Sequence, residues 1–249
     1  MNITETIAKK LLDAKYAIAF TGAGISVESG IPPFRGKGGL WNKYDPDFLT
    51  LSTFHRYPEK SWHTIKEIFY DHWGEAEPNN GHTAIAQLEN MGIVKAVVTM
   101  NIDGLHQKAG SKKVVEYHGT IDTMICEKCH KTYHSREIDL GTLPPKCSCG
   151  NVIKPNFVFF EEGIPHSAYN DSIAYANKAD LVLVVGTTGE VMPACYIPIM
   201  AKRNGATIIE INPTDSSYTN TITDIHIAKP AGEALSQILN VIKQIKEIN

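Results

Sequence analysis

With 249 residues, 43% apolar and 20% charged, the chain suits one large domain, or a domain carrying an inserted lobe, and can bury a sizeable core. Formal charge is −3 with both signs interspersed, which gives no case for a nucleic-acid tail or a polybasic membrane patch; no window approaches eighteen consecutive apolar residues, which argues against a transmembrane helix. Four of the five cysteines fall in one short window, favouring a metal site in a reducing, cytoplasmic setting over a secreted disulfide framework.

The N-terminal stretch MNITETIAKKLLDAK lacks the apolar core of a signal peptide and reads as an amphipathic helix with Thr4 as its cap. YAIAFTG (16–22) follows as a first strand. Residues 31–78 break the alternation with IPPFRGKGGLWNKYDPDFL and SWHTIKEIFYDHW, a loop plus helices inserted after that strand. HTAIAQLENMG (82–92) has helical spacing and leads into a strand, VKAVVTMN (94–101). Residues 121–156 form a second insertion, holding the cysteines and closed by Pro144, Pro145 and Pro155. The strands DLVLVVGT (180–187), ATIIEIN (206–212) and DIHIA (224–228) then precede a C-terminal helix, GEALSQILNVIKQIKEI (232–248).

These strands are almost continuously apolar rather than alternating, as in strands buried on both faces of a parallel sheet. The expected class is therefore α/β, a doubly wound, Rossmann-like parallel sheet with a smaller zinc-binding lobe. We expect a single domain with its core at about 1–30, 79–120 and 157–249. The insertions 31–78 and 121–156 would make the lobe that closes over the C-terminal strand ends, where open α/β sheets bind ligands.

TGAGIS (21–26) directly follows the first strand. Gly22 and Gly24 allow either a plain tight turn or the close approach of a pyrophosphate to a helix N-terminus. Val27 stands where a dehydrogenase fingerprint has its third glycine, and no acidic residue ends a second strand about twenty positions on, so this is not an ordinary hydride-transfer motif. Arg35, on the loop PPFRGKGG, could clamp phosphates in bidentate fashion or be merely solvated. Cys126-x-x-Cys129 and Cys147-x-Cys149, seventeen residues apart, supply four sulfurs, the number that structural zinc requires; free thiols are the alternative. The second pair is one residue shorter than the usual knuckle, and a site with four sulfurs is structural rather than catalytic. Cys195 reads as a small buried side chain.

Taken together, GAGISVESGIPPFRGKGGLW, TMNIDGLHQKAGS (99–111), VVEYHGT (114–120), the cysteine pairs, GTTGEVMPA and IIEIN resemble, in order, the motifs of the sirtuin family of NAD-dependent protein deacylases, over roughly residues 5–245. The resemblance implies a protein-lysine deacylase that consumes NAD as co-substrate and releases nicotinamide and O-acyl-ADP-ribose, with one structural Zn2+. It also implies an NAD site made of Gly22, Ala23, Gly24, Ser26, Phe34, Arg35, Trp41, Met100, Asn101, Ile102, Asp103, Gly186, Thr187, Thr188, Asn212 and Ala231. Within it, Asn101 and Asp103 would hold the nicotinamide carboxamide, and His118 with Asn101 would be catalytic. His118 would take a proton from a ribose hydroxyl, a task that suits an imidazole left neutral near pH 7. An acyl-lysine peptide would lie as an added strand between Val158, Phe160 and Glu161 on one side and Glu190 and Val191 on the other. His106 is expected to pack or hydrogen-bond structurally.

Five departures from the family pattern stand out. Met100 replaces a glutamine before Asn101; Pro33 replaces an aspartate; Glu161 stands at a glycine; Thr188-Gly189 replaces Ser-Leu; and the second cysteine pair is short. The NAD-holding glycines, Arg35, Asn101, Asp103, His118, Gly186, Thr187 and Asn212 stand, Met100 removes an amide from the nicotinamide pocket, and the departures at Glu161, Gly189 and Glu190 fall on the peptide side. There the two carboxylates would favour a cationic peptide or exclude a peptide. SWHTIKEIFYDHW has no arginine for a Tyr-x-x-Arg acidic-acyl reader, which points to neutral acyl chains and away from succinyl-type ones. The alternatives are an NAD glycohydrolase or ADP-ribosyltransferase, and a non-catalytic NAD-binding regulatory module. No direct nucleic-acid or membrane partner is expected, and no motif sets an oligomeric state.

Overall fold

The computed structural model describes residues 2–36, 38–71, 73 and 75–248; Lys37 of the glycine loop and His72 of the inserted helical stretch lie outside the described residues. Helix α1 (Ile3–Asp13) starts at Asn2 and not at Thr4: the Asn2 side chain accepts the Glu5 N–H at 2.8 Å while the Glu5 carboxylate accepts the Asn2 N–H. This reciprocal box satisfies two donors that Thr4, already inside the first turn, has no way to reach.

Strands β1 (Ala17–Thr21), β2 (Val94–Thr99) and β3 (Val114–Glu116) are parallel. Later in the chain come β7 (Leu181–Val185), β8 (Thr207–Ile211) and β9 (Ile225–Ile227), the last shorter than its sequence pattern. All six join one parallel sheet in the order β3-β2-β1-β7-β8-β9. Every residue of β1 and β7 is buried, as continuous apolar runs demand. On one face α1, α4 (Asn80–Asn90) and α8 (Ala231–Ile248) bury Ile7, Leu11, Ile85, Leu88, Leu235 and Ile238. On the other, α6 (His166–Lys178) and α7 (Tyr196–Arg203) close over Ile18, Phe20, Val182 and Val184. Neighbours of β1 diverge to β2 on one side and β7 on the other, so the switch point of the sheet lies at the C-terminal end of β1.

The two insertions share one core. Helices α2 (Leu51–Arg56) and α3 (Pro58–Ile65, continued as a π-helical turn to Tyr70) pack Phe54, Trp62, Ile65 and Phe69 against Phe157 and Phe159. An antiparallel sheet of β4 (Gly119–Cys126), β5 (Thr132–His134) and β6 (Ile153–Phe157), ordered β5-β4-β6, carries the cysteines. The buried Trp62 ring donates to the Ile153 carbonyl at 2.9 Å and ties the helical insertion to the cysteine-bearing one.

Candidate functional site

After β1 the chain forms a short 3-10 helix, Ala23–Ser29, rather than an α-helix. Its start is set by loop-on-loop packing. The Gly24 N–H donates to the Gly186 carbonyl at 2.8 Å, and a Cβ on Gly24 would lie 2.6 Å from Gly186 Cα. Gly186 has φ +64°, and a Cβ there would lie 2.3 Å from the Ile25 nitrogen. Neither residue can carry a side chain, so the ends of β1 and β7 meet backbone to backbone. Gly22 faces Thr187 and the Met100 methyl.

Beneath this junction runs a polar network. The buried Ser26 hydroxyl donates to Asp103 Oδ2 at 2.7 Å and accepts from Asn101 Nδ2 at 3.1 Å. The second Asp103 oxygen caps α5 (Leu105–Lys108) through the Leu105 N–H, and burial raises the Asp103 carboxyl above the usual range. Ile102 is buried beside them. The sequence reading missed His82: its Nδ1 accepts the Asn79 N–H at 3.3 Å, so Nε2 carries the proton toward Ser26 at 3.4 Å. Burial pushes its pKa down to about 4. An Asn three residues before a His at a helix start, a capping box in other residue types, was the available signal. His106, as expected, is structural: Nε2 meets the Thr21 hydroxyl at 2.9 Å, and burial with the neighbouring His82 drops its pKa to about 3.

His118 stands between β3 and β4, where the parallel sheet gives way to the lobe. Its Nδ1 donates to the Met100 carbonyl at 3.1 Å. A carbonyl only accepts, so Nδ1 bears the proton and Nε2 is a bare acceptor. Burial lowers the His118 pKa against the opposing pull of that carbonyl, which keeps the ring neutral.

Above the crevice Phe34 packs on Trp41 (5.2 Å) and Trp73 (5.9 Å), and Trp41 also contacts Phe160 (6.3 Å). Trp41 therefore links the glycine loop to the segment bearing Phe160. Arg35 is exposed, and its guanidinium has no partner among the described residues. On the other side of β7, Asn212 donates to the Thr214 and Thr187 carbonyls, the Thr187 hydroxyl accepts the Gly189 N–H, and the Thr188 carbonyl accepts the Ser217 N–H. Ala231 opens α8, where the Gly232 N–H is taken by Glu28 at 2.7 Å.

The two segments expected to flank a peptide are fixed by residues that sequence reasoning did not single out. Lys154, 3% exposed, places its ammonium against the Phe157 and Pro155 carbonyls, the Phe159 ring and Glu162, which also accepts the Phe159 N–H. Val158 bonds to the His118 carbonyl, and Phe160 pairs with the backbone of Leu49 and Leu51. The two carboxylates expected to act together on a peptide stand in different settings. Glu161 adopts φ +76°, and its carboxylate accepts both the Ser52 N–H (2.9 Å) and hydroxyl (3.1 Å), capping α2. Glu190 is exposed and unpartnered among the described residues, next to Val191. Gly189 leaves no opening, because Ser217 and the buried Tyr218 occupy the place of its missing side chain.

The four sulfurs of Cys126, Cys129, Cys147 and Cys149 lie within 4.8 Å of one another, with Cys126–Cys149 and Cys129–Cys147 at 3.5 Å. Tetrahedral zinc with bonds of about 2.3 Å sets sulfurs about 3.8 Å apart, so the short second pair still fits. The Cys129 and Lys128 amides lower the Cys126 thiol, and the Cys149 amide with the Tyr133 hydroxyl lowers Cys147 to about 5. At Cys129 the Lys131 amide also lowers, but the neighbouring sulfurs win and push it up to about 12. Four thiols this close ionise together only around a cation, and the cluster is positioned to bind a zinc ion.

Comparison with known proteins gives a consistent picture. The chain is 44% identical over 243 residues to "NAD-dependent protein deacylase 2" of Pyrobaculum aerophilum, covering 96% of this chain and 95% of that one. A solved complex of a Sir2 homolog with NAD superposes at a TM-score of 0.91 with 35% identity, covering 98% of this chain and 95% of that one. A Sir2 structure holding a deacetylated peptide and 3′-O-acetyl ADP ribose superposes at 0.91 with 32% identity, covering 95% and 97%. The model of the Sir2 family matches residues 22–193, more than half of the sequence, and the chain belongs to that family.

Proposed function

We propose that this protein is an NAD-dependent protein-lysine deacylase that consumes NAD and yields nicotinamide and an O-acyl-ADP-ribose. The observation that carries the reading is the tautomer of His118, a neutral imidazole whose Nδ1 proton is committed to the Met100 carbonyl and whose Nε2 is free to accept. A non-catalytic NAD-binding module has no need of a base so prepared.

NAD would lie along Gly22, Ala23, Gly24, Thr187, Thr188, Asn212 and Ala231, with Arg35 as cation for its phosphates and Phe34 and Trp41 as cover. When bound it supplies an activated ribose carbon and a nicotinamide leaving group. Asn101 and Asp103, fixed by Ser26, present an amide donor and a carboxyl acceptor to a carboxamide. His118 removes a hydroxyl proton at Nε2. The segments at Val158–Glu161 and Glu190–Val191 align the acyl-lysine chain as a strand, so the gain comes from positioning in a dry site. The absence of a nearby arginine in SWHTIKEIFYDHW favours neutral acyl groups.

We take the chain as one catalytic domain with a Rossmann-like core at about 1–30, 79–120 and 157–249, and a lobe at about 31–78 and 121–156; the lobe's apolar cluster supports this division, though it also takes in Ile102, Leu105, Phe157 and Phe159 at the junction. The thiolate cluster supports a reducing, cytoplasmic address. The deciding experiment is nicotinamide release by purified protein with and without an acetyl-lysine peptide mixture. Release that requires peptide supports deacylation. Equal release without peptide would replace it with NAD hydrolysis, and binding without release with a regulatory module.

A further inference from the structure

The small lobe carries an open cleft of about 850 Å³ between the start of α3 and the cysteine-bearing insertion. Arg56, Lys60, His63 and Lys146 line it, with Glu59 the one carboxylate among its walls. Lys43, Lys66, Lys108, Lys154, Lys202 and Lys229 are each paired with a carboxylate. Arg56, Lys60 and Lys146 make no side-chain hydrogen bond or ion pair among the described residues, as is also true of scattered surface cations such as Lys9, Lys112 and Lys178; what sets these three apart is that they line one cleft. A chain of net charge −3 thus gathers three unpaired cations against a single carboxylate around one concavity. A second depression shares Pro58 and Val152 with the first and adds Lys128, unpaired among the described residues, while His55 there engages Glu127. Concave walls of low dielectric focus such a field toward an anionic ligand.

The cleft stands close to the peptide site. Helix α2 begins beside Thr50, which bridges Phe160, and ends at Arg56 on the cleft wall. Six helical residues span roughly 9 Å, a length that about three residues of extended chain cover.

We infer that this cleft is an exosite that binds an acidic segment of the protein substrate, outside the acyl-lysine itself; the inference rests on the deacylase reading. A nucleic acid fits less well. Phosphate backbones call for an extended basic track on a basic domain, whereas here three cations share one cleft with Tyr57 and Val152 on a chain of negative net charge.

The test compares a short acetyl-lysine peptide extended by hexaglutamate with the same peptide extended by hexaglutamine. At about 50 mM salt the glutamate tail lowers KM about tenfold with kcat unchanged, the size expected of three exposed ion pairs. At about 0.5 M salt the advantage falls below about twofold, because screening is then nearly complete. Arg56→Glu with Lys60→Glu abolishes the advantage and leaves the glutamine-tailed peptide's kinetics intact; Lys146→Gln, a milder change, reduces it. Equal KM for the two tails at low salt overturns the exosite, and so does an advantage that survives Arg56→Glu/Lys60→Glu. An oligonucleotide that displaces a fluorescent hexaglutamate peptide at a lower charge concentration also overturns it, in favour of a nucleic-acid surface. If neither peptide is turned over, the deacylase reading fails instead, and anisotropy of the labelled tail with the wild type and Arg56→Glu/Lys60→Glu still judges the cleft.

Discussion

The Val158 N–H donates to the His118 carbonyl at 2.8 Å, so the proposed base and the proposed peptide-holding segment are joined by a single backbone hydrogen bond. The His118 ring in turn holds the Met100 carbonyl at the end of the parallel sheet. Base, peptide segment and cofactor crevice therefore share one frame, and geometry set on one side is felt on the other.

His118→Ala should lower deacylation by about 10²- to 10⁴-fold while NAD affinity stays within about threefold. In the wild type, burial lowers the His118 pKa, so the acid limb of kcat/KM should fall below pH 6.5. An acid limb above 6.5, or unchanged turnover in the variant, would remove His118 from the base role.

Gly186→Ala places a methyl 2.3 Å from backbone nitrogen at φ +64°, where no side chain can yield. We expect a loss above about 3 kcal/mol in chemical denaturation, or no folded protein. A stable variant with normal NAD binding would mean that the two loops part readily.

Glu161 combines a left-handed backbone, which costs a non-glycine residue about 1 kcal/mol, with a helix cap that contributes about as much. Glu161→Ala keeps the strain and loses the cap, and should destabilise by about 1 kcal/mol. Glu161→Gly loses both and should fall within about 0.5 kcal/mol of the wild type. Alanine and glycine variants of equal stability would contradict this account.

Stability should decline on acidification through two buried histidines. His82 and His106 have folded pKa values of about 4 and about 3, below the ordinary 6.5, so between those limits the unfolded chain binds more protons. Their contribution is complete above pH 6.5 and shrinks by up to about 1.4 kcal/mol per pH unit for each as pH falls. His106→Phe removes one titration, so urea midpoints measured from pH 7 to 5 should fall less steeply in that variant; parallel slopes would refute this.

Metal analysis should find about one zinc per chain. Cys129→Ser or strong chelation should unfold the lobe of α2, α3 and β4–β6 before the parallel sheet, since the cluster anchors that core. A metal-free protein with full near-ultraviolet ellipticity would exclude a structural role.

Much of this was legible in the residues. Unbroken apolar runs such as LVLVV mark doubly buried parallel strands, and the cysteine spacing marks the lobe. Other features were hidden because they depend on partners distant in sequence. Nothing near Glu161 announces Ser52, 109 residues away, so a carboxylate read only as a peptide-side charge proves to be a cap. Glycines read as room for a ligand turn out to be required first by each other. Lys154 looks like any charged residue until its burial beneath Phe159 is seen.

Trp41, wedged between Phe34 of the glycine loop and Phe160 of the proposed peptide-holding segment, also makes the protein its own optical reporter. Of the three indoles, Trp62 is buried and hydrogen-bonded to Ile153, and so should emit a constant signal. Trp41 and Trp73 both touch Phe34, so loop rearrangement should appear as a change in emission against that constant background. Stopped-flow mixing with NAD and with peptide, in either order, would then time the assembly of the site without any attached dye.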